Sequence, residues 1–100
     1  MLFRINWTIP TQSRAECYKS FAGMKDPTQD ISEFKDTVKL IGRWHTASGT
    51  GGTCIADCQS VSDLNKWILT WAPLCDCTIE PMVSDKEAQD NIKTRPWYSS

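Results

Sequence analysis

The stretch "LIGRWHTASGTGGTCIADC", residues 40–58, contains two apolar segments separated by a loop with three glycines. Apolar and polar side chains alternate before the loop, over residues 37–46, and again after it, over residues 53–59. A period of two is typical of β-strands, and two such strands joined by a short glycine-rich loop predict a β-hairpin. The order of the other strands and helices can be stated relative to this hairpin.

The glycine loop, "ASGTGG" at residues 47–52, is interpreted as a hairpin turn and not as a phosphate-binding loop. A phosphate-binding loop ends in Gly-Lys-Ser/Thr and leads into a helix, whose first N–H groups hold the phosphate. This loop lacks that ending and leads into a strand. The glycines are therefore expected to supply the backbone conformations that the hairpin turn requires.

The segments outside the hairpin supply two further strands and three helices. Alternation predicts strands at residues 2–9 and 75–83. Helices are predicted at residues 13–24, 60–74 and 84–93, each beginning with a serine in the N-cap position. Ser13 and Ser84 are each followed three residues later by a glutamate, which is the pattern of a capping box. Residues 25–36 are predicted to be a surface connection with one short helical turn.

The resulting order is β-α-β-β-α-β followed by a C-terminal helix, which is the ferredoxin-like arrangement. It predicts an α+β domain at residues 1–93 with a four-stranded antiparallel sheet, strand order 4-1-3-2, and a tail at residues 94–100. Right-handed crossovers place both main helices on one face of the sheet. The other face is left bare, and a second copy of the chain is the simplest cover for it.

The composition argues against two classes of protein, those that bind nucleic acids and those that span membranes. The chain has 100 residues, a formal net charge of −1 and no basic excess, which argues against nucleic-acid binding. It has no apolar run of about 18 residues, so no membrane span is expected. Five cysteines without a recognisable signal peptide predict free thiols and a cytoplasmic location.

The cysteines are not expected to hold a metal. Cys54 and Cys58 form one pair, and Cys75 and Cys77 form another. The predicted strand order separates the pairs by two strand spacings, about 10 Å, whereas zinc–sulfur bonds are about 2.3 Å long. No metal and no cofactor are predicted.

Strand alternation assigns a group of polar side chains to the bare face, where they would surround a partly apolar cavity typical of small-molecule sites. The predicted ligand-binding residues are Arg4, Asn6, Arg43, His45 and Asp57. His45, the one histidine, is also a candidate for a general base, and the alternative, which the residues favour, is a strand-end histidine bonded to a loop carbonyl. The alternative role for Asp57 is a structural ion pair with Arg43 or His45 across the hairpin. The same alternation predicts Trp7 and Trp44 to lie in the core.

Three motifs resemble a family of small uncharacterised bacterial proteins, grouped as a domain of unknown function. They are "KLIGRWH" at residues 39–45, Trp67 and Trp71 in the helix that follows the hairpin, and "EPMVSDKEA" at residues 80–88. The resemblance implies the dimeric α+β-barrel, ferredoxin-like class, in which two facing sheets enclose a cavity. It implies no established activity. The family pattern commonly has glutamate near the end of the third strand, where this chain has Asp57.

Three functions are compatible with these observations. The first is a homodimer that binds a small apolar or amphipathic molecule, fatty-acid-like or aromatic, between the sheets, with Arg4 or Arg43 holding an acidic head group. The second is a cofactor-independent oxygenase or isomerase in which His45 is the base and Asn6 or Arg43 stabilises the anion. The third is a structural dimer without a ligand.

Overall fold

The computed structural model describes residues 1–99 and contains one four-stranded antiparallel sheet within that range. The strands are β1 (Leu2–Thr8), β2 (Val38–His45), β3 (Gly51–Cys58) and β4 (Asp76–Met82), and the helices are α1 (Arg14–Ala22), α2 (Val61–Trp71) and α3 (Asp85–Lys93). Short 3₁₀ segments occur at Thr11–Ser13, Gln29–Phe34 and Pro96–Tyr98. The sheet order is β2-β3-β1-β4, which is the predicted order read from the other edge. The ferredoxin-like α+β fold is therefore confirmed.

Two of the three predicted serine caps form. The hydroxyl of Ser60 accepts a hydrogen bond from the backbone N–H of Asp63, and that of Ser84 accepts one from Glu87, each at 3.2 Å. Ser13 makes no such bond, and that prediction is wrong. Residues 11–13 already form a 3₁₀ turn, so Ser13 has near-helical angles (φ −103°, ψ −6°) instead of the extended backbone that a cap requires.

The core lies between one face of the sheet, called here the helix-side face, and the elements packed on it. β1 contributes Phe3 and Ile5, and α2 contributes Leu64 and Trp67. Burying an aliphatic or aromatic side chain of this size stabilises the fold by about 1.5–3 kcal/mol. Ile31 and Phe34, from the 3₁₀ segment Gln29–Phe34, are also buried. The connection at residues 25–36 has the predicted helical turn but is part of the core, not a plain surface loop.

A β-bulge in β2 decides which way its second half faces. Leu40 pairs with Ala56 and Gly42 pairs with Ile55, so Ile41 is an extra residue without a partner in β3. An extra residue reverses the alternation beyond it. Arg43 consequently pairs with Cys54 on the helix-side face, and Trp44 turns to the opposite face.

The bulge corrects two predictions. Arg43 and His45 were expected on the bare face, and both lie on the helix-side face. Trp44 was expected in the core, and its side chain is 58% exposed. Trp7 keeps the predicted face and packs against the core without being fully buried.

The other face of the sheet, called here the open face, carries Leu2, Arg4, Asn6, Trp44, Ile55 and Asp57. Neither α1 nor α2 covers it. α3 follows β4 and has no buried residue. Over residues 1–99, no helix has the length and apolar character that crossing a membrane requires.

Candidate functional site

A pocket of about 340 Å³ lies between the helix-side face of the sheet and helices α1 and α2. Its walls are mainly aromatic, aliphatic and sulfur-containing side chains. β1 and the residue after it contribute Ile5, Trp7 and Ile9, α1 contributes Cys17, Tyr18 and Phe21, and α2 contributes Trp67, Ile68 and Trp71. Cys54, Cys75 and Cys77 complete the apolar lining. This volume and composition fall within the range of small-molecule sites.

The hairpin turn closes one end of the pocket, and its glycines have backbone roles, as predicted. Gly49 has φ +78°, a left-handed conformation that side chains with a Cβ rarely adopt. A Cβ on Gly51 would collide with the carbonyl oxygen of Trp7. The hydroxyl of Tyr18 in α1 donates a hydrogen bond to the carbonyl oxygen of Gly49 at 2.7 Å, which fixes the turn against the helix.

His45 borders the pocket at the end of β2. Its ring lies 4.7 Å from the ring of Phe21 and 5.5 Å from that of Trp7, the latter in an edge-to-face arrangement. Burial lowers the pKa of His45, and the nearby Arg43 guanidinium lowers it further. The imidazole is therefore neutral at pH 7. Within residues 1–99 no other side chain is hydrogen-bonded to it, so its nitrogens are available to a ligand or to water.

Asp30 binds three side chains that line the pocket, those of Arg43, Trp67 and Trp71. Its carboxylate accepts two hydrogen bonds from the Arg43 guanidinium at 3.0 Å, one from the indole N–H of Trp67 at 3.0 Å and one from that of Trp71 at 2.8 Å. Arg43 also donates to the carbonyl oxygen of Pro27 at 2.8 Å. Burial alone would raise the pKa of Asp30, but these hydrogen bonds outweigh it and hold the pKa below its ordinary value.

Asp30 was not among the predicted site residues, because it sits in a polar segment of the sequence. A usable signal exists in α2, where Trp67 and Trp71 are four residues apart on the buried face. Two indole N–H groups brought into a core both need an acceptor. That requirement predicts a buried acceptor, although it does not identify Asp30.

The predicted ligand-binding residues separate into two groups. Arg43 and His45 border the pocket, whereas Arg4, Asn6 and Asp57 lie on the open face. The Arg4 guanidinium donates to both carboxylate oxygens of Glu80, at 2.9 and 2.8 Å.

Asp57 pairs with the amino group of Met1 at 3.1 Å. The cross-strand pair considered for Arg43 and Asp57 does not form, because Arg43 binds Asp30 instead. The sheet separates the two groups, so they do not form one site.

Four free thiols line the pocket: Cys17, Cys54, Cys75 and Cys77. Burial raises the pKa of Cys54 to about 11. The sulfurs of Cys75 and Cys77 are 3.9 Å apart. The hydrogen bond between the two sulfurs lowers the pKa of Cys77 and raises the pKa of Cys75. In the described part of the chain, no three His, Cys, Asp or Glu side chains are arranged to hold a metal ion.

Solved structures share this fold at low sequence identity. Rv0793 from Mycobacterium tuberculosis is 10% identical, with 84% of this chain and 96% of that chain covered and a TM-score of 0.50. An uncharacterised NIPSNAP domain protein from Burkholderia xenovorans is 14% identical, with 85% and 97% covered and a TM-score of 0.46.

A point mutant of MhuD with two manganese protoporphyrin IX molecules per active site is 16% identical, with 85% and 97% covered and a TM-score of 0.44. At 10% identity, the similarity to Rv0793 concerns the fold alone. Comparison with curated proteins gives no match.

The family assignment comes from the sequence itself. A family profile described as a domain of unknown function, DUF3303, matches residues 1–95 and so spans the sheet, the pocket and all three helices. The match includes the three motifs that carried the resemblance. The chain belongs to the DUF3303 family.

Proposed function

We propose that this protein binds one small, uncharged, mainly aromatic molecule in the pocket between its sheet and helices α1 and α2. The observation that carries the proposal is the pocket itself, about 340 Å³ in volume and lined by Trp7, Phe21 and Trp71 among other apolar side chains. Aromatic rings pack against such walls in edge-to-face and offset geometries. This location differs from the cavity between two facing sheets that the sequence suggested.

The charges around the pocket support an uncharged ligand. Arg4 or Arg43 was predicted to hold an acidic head group. Arg4 lies on the open face in an ion pair with Glu80, and Arg43 is already paired with Asp30. A carboxylate in the pocket would therefore lose its hydration without gaining a free cation, which is costly. The fatty-acid-like ligand is the weaker of the two chemistries considered.

His45 supplies the polar contact in this proposal. Its neutral imidazole can donate one hydrogen bond and accept another. Phe21 and Trp7 hold the ring at the border of the pocket. A single hydroxyl or carbonyl on an aromatic ligand would satisfy one imidazole nitrogen.

The test uses two probes with the same ring system and different charge, naphthol and naphthoate, in isothermal titration calorimetry. We expect naphthol to bind at least about tenfold more tightly, because naphthoate must bury an unpaired charge. Ile68→Phe, which fills part of the pocket, should weaken naphthol binding, and Leu69→Phe on the exposed side of the same helix should not. Equal binding of the two probes, or equal effects of the two variants, would contradict the proposal.

A homodimer is the second part of the proposal. The open face exposes Trp44 and carries the half-buried Leu2 and Ile55, and neither α1 nor α2 covers it. A second copy would cover these groups with the same surface, as two-fold dimers do. In sedimentation equilibrium, Trp44→Glu should shift the protein towards the monomer. Leu69→Glu is the matched control, because both wild-type side chains are 58% exposed. A wild-type monomer at all concentrations would rule out the dimer.

An enzyme is a second candidate, and the neutral imidazole of His45 at the pocket favours it. A neutral histidine with a free nitrogen can act as a general base. Asn6 cannot stabilise an anion there, since it lies on the open face, and the Arg43 charge is shared with Asp30. An oxygenase or isomerase would convert a bound aromatic alcohol, and His45→Gln would abolish turnover while leaving binding within a few-fold. Binding without turnover favours the ligand-binding function.

The proposed location is a reducing compartment, the cytoplasm. All five cysteines are free thiols in the structure, which is the state that such a compartment maintains. A structural dimer without a ligand remains the alternative if neither probe binds.

A further inference from the structure

Cys75 and Cys77 form a pair of thiols in the wall of the pocket. Cys75 directly precedes β4, and Cys77 is the second residue of that strand. Their sulfurs are 3.9 Å apart, and both side chains line the pocket. β4 is an edge strand that pairs with β1 alone, so a local change in its first residues disturbs one ladder only.

We propose that Cys75 and Cys77 are a redox-active dithiol that reacts with apolar organic hydroperoxides entering the pocket, with Cys77 as the attacking sulfur and Cys75 as the resolving one. The inference goes beyond the reversible ligand proposed above. It uses the same pocket but requires neither naphthol-like ligands nor a role for His45.

The roles of the two cysteines follow from their hydrogen bonding. The thiol hydrogen of Cys75 has two acceptors within reach, the sulfur of Cys77 at 3.9 Å and the carbonyl oxygen of Trp71 at 3.5 Å. When Cys75 is the donor of the bond between the two sulfurs, that bond favours a thiolate on Cys77 and lowers its pKa. Both side chains line the pocket, and Cys77 is the more exposed of the two, which favours it as the attacking sulfur.

The reaction consists of two balanced steps. The Cys77 thiolate attacks the outer oxygen of the hydroperoxide, a sulfur–oxygen bond forms, the oxygen–oxygen bond breaks, and the alcohol leaves with a proton taken from water. Cys75, after giving up its proton, then attacks the Cys77 sulfur, a disulfide forms, and the hydroxyl leaves as water. The dithiol loses two electrons, and the hydroperoxide is reduced to an alcohol and water.

The geometry favours a reversible disulfide. The sulfurs must approach by about 2 Å to reach the bond length of about 2.05 Å. Two residues along a strand are separated by about 6.6 Å between Cα atoms, which is close to the upper limit for disulfides. A strained disulfide is easily reduced, which is typical of regulatory or catalytic pairs and not of structural ones.

The test treats the reduced full-length protein with cumene hydroperoxide and maps the cysteines by alkylation and mass spectrometry. We expect one peptide containing both Cys75 and Cys77 to lose two hydrogens, while Cys58 stays alkylatable. Cys58 is the internal control, because it is a buried thiol outside the pocket. Alkylation of the untreated protein should be at least about tenfold faster at Cys77 than at Cys58.

Two variants assign the roles. Cys75→Ser should stop the reaction at a sulfenic acid on Cys77, which dimedone traps, and Cys77→Ser should leave Cys75 reduced. If a variant fails to fold, the wild-type alkylation rates and the disulfide map decide the question. Equal reactivity of Cys77 and Cys58, or a disulfide that joins Cys75 to Cys17, would overturn the proposal. Loss of naphthol binding alone would leave it standing.

Discussion

Two arginine–carboxylate pairs on opposite sides of the sheet have similar distances and different surroundings. Arg43 meets Asp30 at 3.0 Å with side chains 11% and 4% exposed, and Arg4 meets Glu80 at 2.8 Å with side chains 46% and 52% exposed. Asp30 also accepts two indole hydrogen bonds, whereas Glu80 has one further contact, with Asn6 at 3.5 Å. We therefore expect burial and the number of partners, more than the ion-pair distance, to decide what each pair contributes to stability.

The buried pair connects three parts of the chain. Asp30 belongs to the 3₁₀ segment Gln29–Phe34, Arg43 to β2, and the two tryptophans to α2. In the interior each of these groups would be costly without its partners, so the pair specifies how the three elements fit together. The exposed pair joins two neighbouring strands that their backbone ladder already holds.

Removing the buried carboxylate should have the largest effect. Asp30→Ala leaves the Arg43 charge and two indole N–H groups without their acceptor. We expect a loss of about 3–5 kcal/mol in the free energy of unfolding, measured by urea denaturation. Such a loss is a large part of the stability of a domain of this size. A loss below about 1 kcal/mol would mean that the buried pair behaves like a surface pair.

The second-largest effect should appear in the pH dependence of stability, to which the buried Asp30 carboxylate contributes. The pKa of Asp30 is lower in the folded protein than the value of about 3.9 for an unfolded chain. The unfolded state therefore takes up the proton first, and the stabilisation is fully present above that value and is lost as the pH falls through the folded pKa. We expect unfolding free energies measured below pH about 4 to decrease more steeply for the wild type than for Asp30→Asn. Parallel acid profiles would contradict this.

Trp71→Phe removes a single hydrogen bond from the same carboxylate. The ring remains apolar, and Trp67 and Arg43 still bind Asp30. A hydrogen bond to a charged group contributes about 1.5–3 kcal/mol, so the loss should be smaller than for Asp30→Ala. Thermal denaturation of this variant beside Trp44→Phe, whose indole is exposed, provides the control. If both variants lost the same amount of stability, the hydrogen bond of the buried indole would contribute nothing beyond that of an exposed one.

Breaking the exposed pair should have the smallest effect. Glu80→Ala is expected to cost less than about 1 kcal/mol, because solvent screens the Arg4 charge in either state. High salt should reduce even this difference. The measurement is the same urea denaturation, repeated at low and high ionic strength. A loss as large as that of Asp30→Ala would indicate that the open face is covered in solution.

Much of the fold could be predicted because its signals are local. The alternation of Phe3 and Ile5 with Arg4 fixed the faces of β1, and the serines at positions 60 and 84 marked two helix starts. The failure at Ser13 has an equally local cause, since the preceding 3₁₀ turn gives that residue near-helical angles. Strand order followed from the connectivity rules for this topology.

The site could be predicted only in part because it depends on two non-local features. The bulge at Ile41 leaves no mark in the alternation, yet it moves Arg43 and His45 to the other side of the sheet. Asp30 lies in a segment whose composition is typical of a surface loop, and only the tertiary structure brings it to Arg43, Trp67 and Trp71. The thiol pair was visible in the sequence, but its place in the pocket wall was not.

The bulge in β2 also affects how sequences of different length should be compared. A homologous chain one residue shorter at position 41 would keep the same letters for its arginine and histidine and display them to the opposite side of the sheet. The pocket would then lose its imidazole, and the open face would gain two basic side chains. A one-residue gap at this position is therefore as informative about function as the replacement of either side chain.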